Sequence, residues 1–291
     1  MKKYLLLAVL PLLFYTATAQ EPAGEQAVKN MRFFVGASWS FLSVDMKLSS
    51  LSLHSVWFGS DLGTHDFESG EIDTINGYVD RHSDVNVLSV EAGMNFISNT
   101  EVRWKFSGSL LLGIGQNLTT VQNKETGVQE YSFNSGFSKP CLGLGFNFGY
   151  QFTPHWSLSL RPYLVGTMGT LTDIDDQINP DPVNFTSVKK DKFSTLYFRS
   201  SLMAGYTAGP VTIMAGPGFY YLWSKHKYSR TYTNINDGQT IIEEATYVLI
   251  PRSYIDGNLA VSWKIIPRLT LQAHAGIGKD IMVDGGIQFN F

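Results

Sequence analysis

The chain of 291 residues contains one cysteine, Cys141. An intramolecular disulfide is therefore excluded, and covalent staples do not hold the fold together. Charge is scarce as well: 16% of residues are Asp, Glu, Lys or Arg, and 22 basic against 25 acidic side chains leave a net charge of −3. That mildly acidic balance argues against a nucleic-acid partner. Beyond residue 19 there is no uninterrupted apolar run of about 18 residues, so no helix is expected to span a bilayer. Phosphate-loop, dinucleotide and zinc motifs are missing, as are a D-x-D-x-D-G calcium loop and the G-x-S-x-G of serine hydrolases. No cofactor and no metal site are expected.

Glycine and aromatic residues are abundant: 27 Gly, 19 Phe, 14 Tyr and 6 Trp. This composition favours strands over helices. At the N-terminus Lys2 and Lys3, an apolar run from Tyr4 to Tyr15, and Ala17-Thr18-Ala19 have the anatomy of a secretory signal peptide. Residues 1–19 are assigned to that signal and 20–31 to a short periplasmic leader. Residues 32–291, roughly 260 in all, are enough for one large β-domain.

Ten segments alternate with the two-residue period of a strand. They are Arg32 to Leu42, Val85 to Ile97, Val102 to Gly115, Cys141 to Phe152, Trp156 to Leu164, Leu196 to Tyr206, Val211 to Trp223, Arg252 to Trp263, Thr270 to Gly278 and Val283 to Phe291. One phase of every segment is apolar and free of Asp, Glu, Lys and Arg; the other carries glycines and all the charges. Short turns (Ser98-Asn99-Thr100, Thr153-Pro154-His155, Ala208-Gly209-Pro210, Ile266-Pro267-Arg268) alternate with the polar stretches Ser43–Ser83, Gln116–Lys139, Thr167–Phe193, Ser224–Ala245 and the brief Lys279–Met282. Turns on one side and loops on the other are the pattern of a transmembrane barrel.

The expectation is an all-β, ten-stranded, up-and-down antiparallel transmembrane β-barrel, or twelve strands if Leu48 to Phe58 adds a hairpin arm. The last strand pairs with the first to remove the open edge. The apolar phase faces outward, because a ten-stranded bore is too narrow for its aromatics. Trp39, Trp104, Trp156, Tyr206, Trp223, Trp263 and Phe291 then form aromatic girdles at the two interfaces. Pro162 and Pro217 fall inside strands with two neighbours, where bulges are expected.

The pattern over residues 32–291 resembles the family of single-chain bacterial outer-membrane β-barrel proteins, including the opacity and OmpA-type barrels. The resemblance implies outer-membrane lipid around the barrel and recognition of the C-terminal strand by the barrel-assembly machinery. It also implies loops that bind an extracellular ligand. The polar phase places Glu91, Arg103, Lys105, Arg161, Arg199, Arg252, Asp256, His274 and Asp284 in the lumen, either as an ion-pair filling, with Glu91 beside Arg103, or as a lining selective for anions. A catalytic candidate is His82 with Asp80 and Asp84, set against Asp173 and Asp175 across the mouth. That grouping is similar to the omptin surface proteases in size and strand count, although no omptin motif aligns. The expected function is that of a non-enzymatic surface or envelope protein, with a small pore or transporter as the alternative and a surface hydrolase as the third reading.

Overall fold

The computed structural model describes residues 31–97, 103–134, 139–170, 173–176 and 185–291. The signal sequence, the leader up to Asn30, the turn Ser98-Asn99-Thr100 and the Pro180–Pro182 stretch lie outside the described residues. The strands are β1 (Met31–Trp57), β2 (Ser60–Asp66), β3 (Val79–Ile97), β4 (Trp104–Asn123), β5 (Gln129–Asn134), β6 (Lys139–Gln151) and β7 (Trp156–Thr170). They continue with β8 (Asp173–Asp176), β9 (Phe185–Ala208), β10 (Val211–Asn234), β11 (Thr240–Pro251), β12 (Ile255–Ile266), β13 (Leu269–Gly278) and β14 (Ile281–Asn290). One helix, α1 (Ser69–Tyr78), lies between β2 and β3.

Ten of these strands close a ring in the order β1, β3, β4, β6, β7, β9, β10, β12, β13, β14, each antiparallel to its neighbours. The seam is shut by β14 against β1, from Phe34 opposite Asn290 to Ser43 opposite Ile281. The ring thereby has no open edge, as a bilayer demands. The phase assigned to each stave also holds. Leu88, Val90, Leu112, Leu142 and Leu259 are exposed on the outside. Phe34, Leu111, Met203 and Asn258 are buried inside.

Prolines in the staves do not cause the expected bulges. The β6–β7 ladder pauses between Gly145–Tyr163 and Phe148–Leu160 and resumes in the same register, while Pro162 keeps its place opposite Ser200 of β9. Pro217 likewise interrupts the β9 side of β10 but stays in step with Gly257 of β12. A missing N–H removes a bond on only one flank, so a local gap in the ladder is sufficient.

The larger departure is above the ring. The stretches expected as loops are mostly strand: β1 runs on to Trp57, β4 to Asn123, β10 to Asn234, and β9 begins at Phe185. These extensions form a second storey. In it β11 pairs with β10 on one side (Ser224 opposite Leu249 to Thr233 opposite Thr240) and with β1 on the other (Met46 opposite Pro251 to Trp57 opposite Ile241). One strand thus replaces the three short staves β12, β13 and β14, and the circuit narrows. The β13–β14 connection is tucked beneath β11: the Asp45 N–H donates to Asp280 Oδ1 at 2.9 Å, and the Tyr220 hydroxyl also donates to the Asp280 carboxylate.

Inside the upper storey the inward residues are of two kinds: a hydrogen-bonded polar set that includes Ser83, Thr119, Asn117, Thr195, Ser224 and His226, and an apolar set. Leu42, Val44, Met46 and Leu48 of β1 meet Val85 and Val87 of β3, Tyr220 and Leu222 of β10, Leu249 of β11 and Met282 of β14 in a single buried cluster. Each fully buried side chain of this kind contributes about 1.5 to 3 kcal/mol. Helix α1 covers the cluster. Its first turn is closed by a capping box between Glu68 and Glu71, Ile72 and Ile75 pack on the apolar set, and the Asn76 amide clamps both backbone groups of Leu48 at 2.9 Å.

Candidate functional site

The bore divides into three levels. At the top lies the apolar plug just described. Below it Arg199, on β9, reaches across to β12, β13 and β14. Its Nη1 donates to Asp284 Oδ2 at 2.6 Å and its Nη2 to Asn258 Oδ1 at 3.0 Å, and the guanidinium lies against the His274 ring. His274 in turn contacts Asp284 (3.0 Å) and Asn258 (2.8 Å), and Asn258 donates to Asp256 Oδ1 at 2.7 Å. Arg199, Asp256 and Asn258 are all buried. Three charged groups and an imidazole are thereby gathered in one network, with the Arg199 Nε the one guanidinium nitrogen left without a partner among the described residues.

The third level is a cavity of about 590 Å³ reaching down to the turn end. Its wall carries Arg32, Lys105, Arg161 and Lys264, with Glu91 as the one carboxylate besides Asp284. Asp284 already belongs to Arg199 and His274. Glu91 stands opposite Leu111 in the β3–β4 register, with its carboxylate near Ser109 and Gly145.

Of the nine residues expected in the lumen, Glu91, Lys105, Arg161, Arg199, His274 and Asp284 line this cavity, and Asp256 lies just above it. Two do not belong. Arg103 precedes β4 at the turn rim, is exposed, and donates to the Phe152 carbonyl at 2.7 Å, so the expected Glu91–Arg103 pair does not form. Arg252 sits in the β11–β12 connection above the ring and pairs with Asp80 at 3.1 Å; the strand begins only at Ile255. The sequence reading missed Lys264 because it ended the eighth segment at Trp263. One more step in the phase of Asp256, Asn258 and Ser262 would have found it.

The catalytic candidates are not assembled as expected. His82 is on the outer face of the upper storey, pointing away from the mouth, since its neighbour Ser83 is the fully buried, inward residue. Its partners are Asp45 (3.0 Å) and Asp84 (3.2 Å), with Ser43 Oγ at 2.8 Å from Nε2. Asp80 is engaged by Arg252 and by Lys124 at 3.6 Å. Asp173 and Asp175 lie on β8, which is separated from β3 by β4 and β5 along the wall. Ser43 resembles a nucleophile beside a His–Asp pair, but it donates its proton to Asp84 at 2.6 Å. The ladders of β1 with β14 and β3 also occupy the flanking backbone, leaving no cradle for an oxyanion.

Outside, the apolar belt is continuous. Trp39 (42% exposed), Trp104 (61%), Trp156, Tyr206, Trp263 and Phe291 all face out, with Trp223 half-exposed at the upper edge. A soluble monomer does not expose apolar area on this scale. A closed antiparallel ring with an apolar exterior and a polar bore defines a transmembrane β-barrel.

No family model matches the sequence, and no curated protein matches it. Among solved structures, the outer membrane protein OprG from Pseudomonas aeruginosa is similar over 89% of this chain and 95% of its own, at 9% identity and TM-score 0.35. The outer membrane protease OmpT from Escherichia coli is similar over 89% and 97%, at 8% identity and TM-score 0.40. The translocator domain of the autotransporter NalP from Neisseria meningitidis covers 95% and 97%, at 8% identity and TM-score 0.40. These neighbours are outer-membrane β-barrels, and no residue's role is carried over at such identities.

Proposed function

We propose that the chain is an exported outer-membrane barrel that works as a closed, non-enzymatic surface protein, presenting a rigid second storey to the outside for binding. The observation that carries this reading is the apolar plug. Val44, Met46, Leu222 and Leu249 are each 0% exposed at the centre of the upper bore, and α1 lies over them. A hydrated ion crossing that level would have to shed its water against hydrocarbon. The contact surface lies at the tips, where Trp57 (45% exposed), Phe58 (52%) and Leu62 (64%) crown the β1–β2 hairpin. In this reading residues 1–19 direct export and are removed, and the assembly machinery engages β14.

Planar-bilayer recording of the refolded full chain tests the proposal. The wild type is expected to give no unitary current steps. Stable, ion-selective steps would establish the alternative, a small pore, which the basic cavity below the plug otherwise favours.

A further inference from the structure

We propose that the lower cavity is a blind binding site, filled from the turn end, for a small phosphate-bearing anion of about three charges. The first observation is uncompensated charge. Arg32, Lys105, Arg161 and Lys264 share one cavity wall, and among the described residues none of the four forms an ion pair. Asp284 is committed to Arg199 and His274, so Glu91 alone opposes four cations.

The second observation is geometry. Arg161 on β7 stands opposite Ser201 and diagonal to Arg199 on β9, so two guanidinium groups face the same space. Like charges sharing one cavity repel, and among the described residues Glu91 is the one uncommitted carboxylate on its wall to offset them. A fold that needed only filling would place apolar or neutral groups here, as it does at the top of the bore with Val85 and Leu222.

The third observation is the shape of the site. Its volume of about 590 Å³ lies in the range of small-molecule pockets. Arg32, Lys105 and Lys264 are exposed near the mouth, and Arg161 is half-buried further in. Basic groups at the rim steer an anion inward, and a guanidinium deeper in grips phosphate oxygens with its fork. The buried Asn147 Oδ1 has no hydrogen-bond partner and stands ready to accept from a ligand hydroxyl. The Arg199 network and the plug close the far end, so the anion is held rather than passed.

The chemistry is shared by a free phosphate compound and a lipid headgroup, and calorimetry on the refolded full chain in detergent separates them. One arm uses inorganic pyrophosphate; the other uses micelles doped with phosphatidylglycerol. Wild type is expected to bind pyrophosphate saturably, more weakly at high salt, with at least tenfold loss in the double variant Lys105→Gln, Arg161→Gln and no change in the surface control Lys225→Gln. Binding confined to the headgroup arm, with the same loss, keeps the site and assigns it to lipid. Absence of binding in both arms, or equal loss in the control, overturns the proposal. Thermal unfolding supplies an independent readout. If the cations serve a ligand, the double variant melts at or above the wild-type temperature; a lower melting temperature would give them a structural role and sink the idea.

Discussion

The two storeys of this barrel are built from the same strands but solvated in opposite ways. In the lower half of β1, Phe33, Val35 and Trp39 face out and Gly36, Ser38 and Ser40 face in; in the upper half, Leu42, Val44, Met46 and Leu48 face in and Ser43, Asp45 and Lys47 face out. The pleat does not slip between them, because even-numbered residues point inward along the whole run to Leu48. β3 does the same, with Leu88 and Val90 outside below and Val85 and Val87 inside above. What changes at Phe41 is the surroundings: hydrocarbon wraps the lower exterior and water the upper one, so the apolar face goes wherever water is not.

Charge burial is the sharpest place to break this comparison. Replacing Arg199 by Ala takes the 2.6 Å partner from the half-buried Asp284 and leaves it only the His274 ring at 3.0 Å, and the expected cost is about 1 to 3 kcal/mol. Equilibrium unfolding in micelles reads it. The paired change Arg199→Met with Asp284→Leu is expected to recover most of that loss, since the penalty comes from the under-compensated carboxylate rather than from the missing bridge.

The upper storey responds to pH instead. His226 lies above the Trp223 edge, 1% exposed, stacked on Tyr247 at 4.9 Å and bonded to Ser224 at 2.8 Å. Burial holds its imidazole down at about 3, against an ordinary value of 6.5. The folded form therefore binds fewer protons than the unfolded one, so this contribution is complete above about 6.5 and is lost as pH falls toward 3. Between pH 7 and pH 5 the upper storey is expected to lose about 2 kcal/mol. Hydrogen exchange of β10 and β11 amides at the two pH values measures it, and His226→Phe abolishes the difference.

The smallest effect is at the tip. Phe58 has φ +51° and is followed by Gly59 at φ +81°. A bulky residue in the left-handed region costs about 1 kcal/mol. Phe58→Gly is expected to stabilise the β1–β2 hairpin by that amount, visible as slower exchange near the tip, while removing the most exposed aromatic ring of the proposed contact surface.

Much of the lower storey was legible because a bilayer imposes one rule on every strand. The outward set, the seam between the first and last strands and most of the bore residues followed from alternation, and the turns at residues 153–155, 208–210 and 266–268 from their residue types. The upper storey was not legible for the same reason. Alternation identifies two faces but not the solvent each one meets, so Asp45 and Lys47 beside Val44 and Met46 read as loop once the apolar phase was assigned outward. Arg252 was drawn into the lumen by the same error.

The amino-acid sequence by itself determined ten period-two segments, each with one phase free of charge, joined by alternating short turns and long polar stretches; for such segments in a bilayer, closure into a ring is the way to pair the backbone groups. Tertiary structure alone decided where the bore ends. Replacement of β12, β13 and β14 by β11, the tucking of Asp280 beneath it and the gathering of Lys105, Arg161 and Lys264 around one cavity depend on pairings between residues far apart in the chain. Such registers are set by the whole closed sheet and by no local stretch of it.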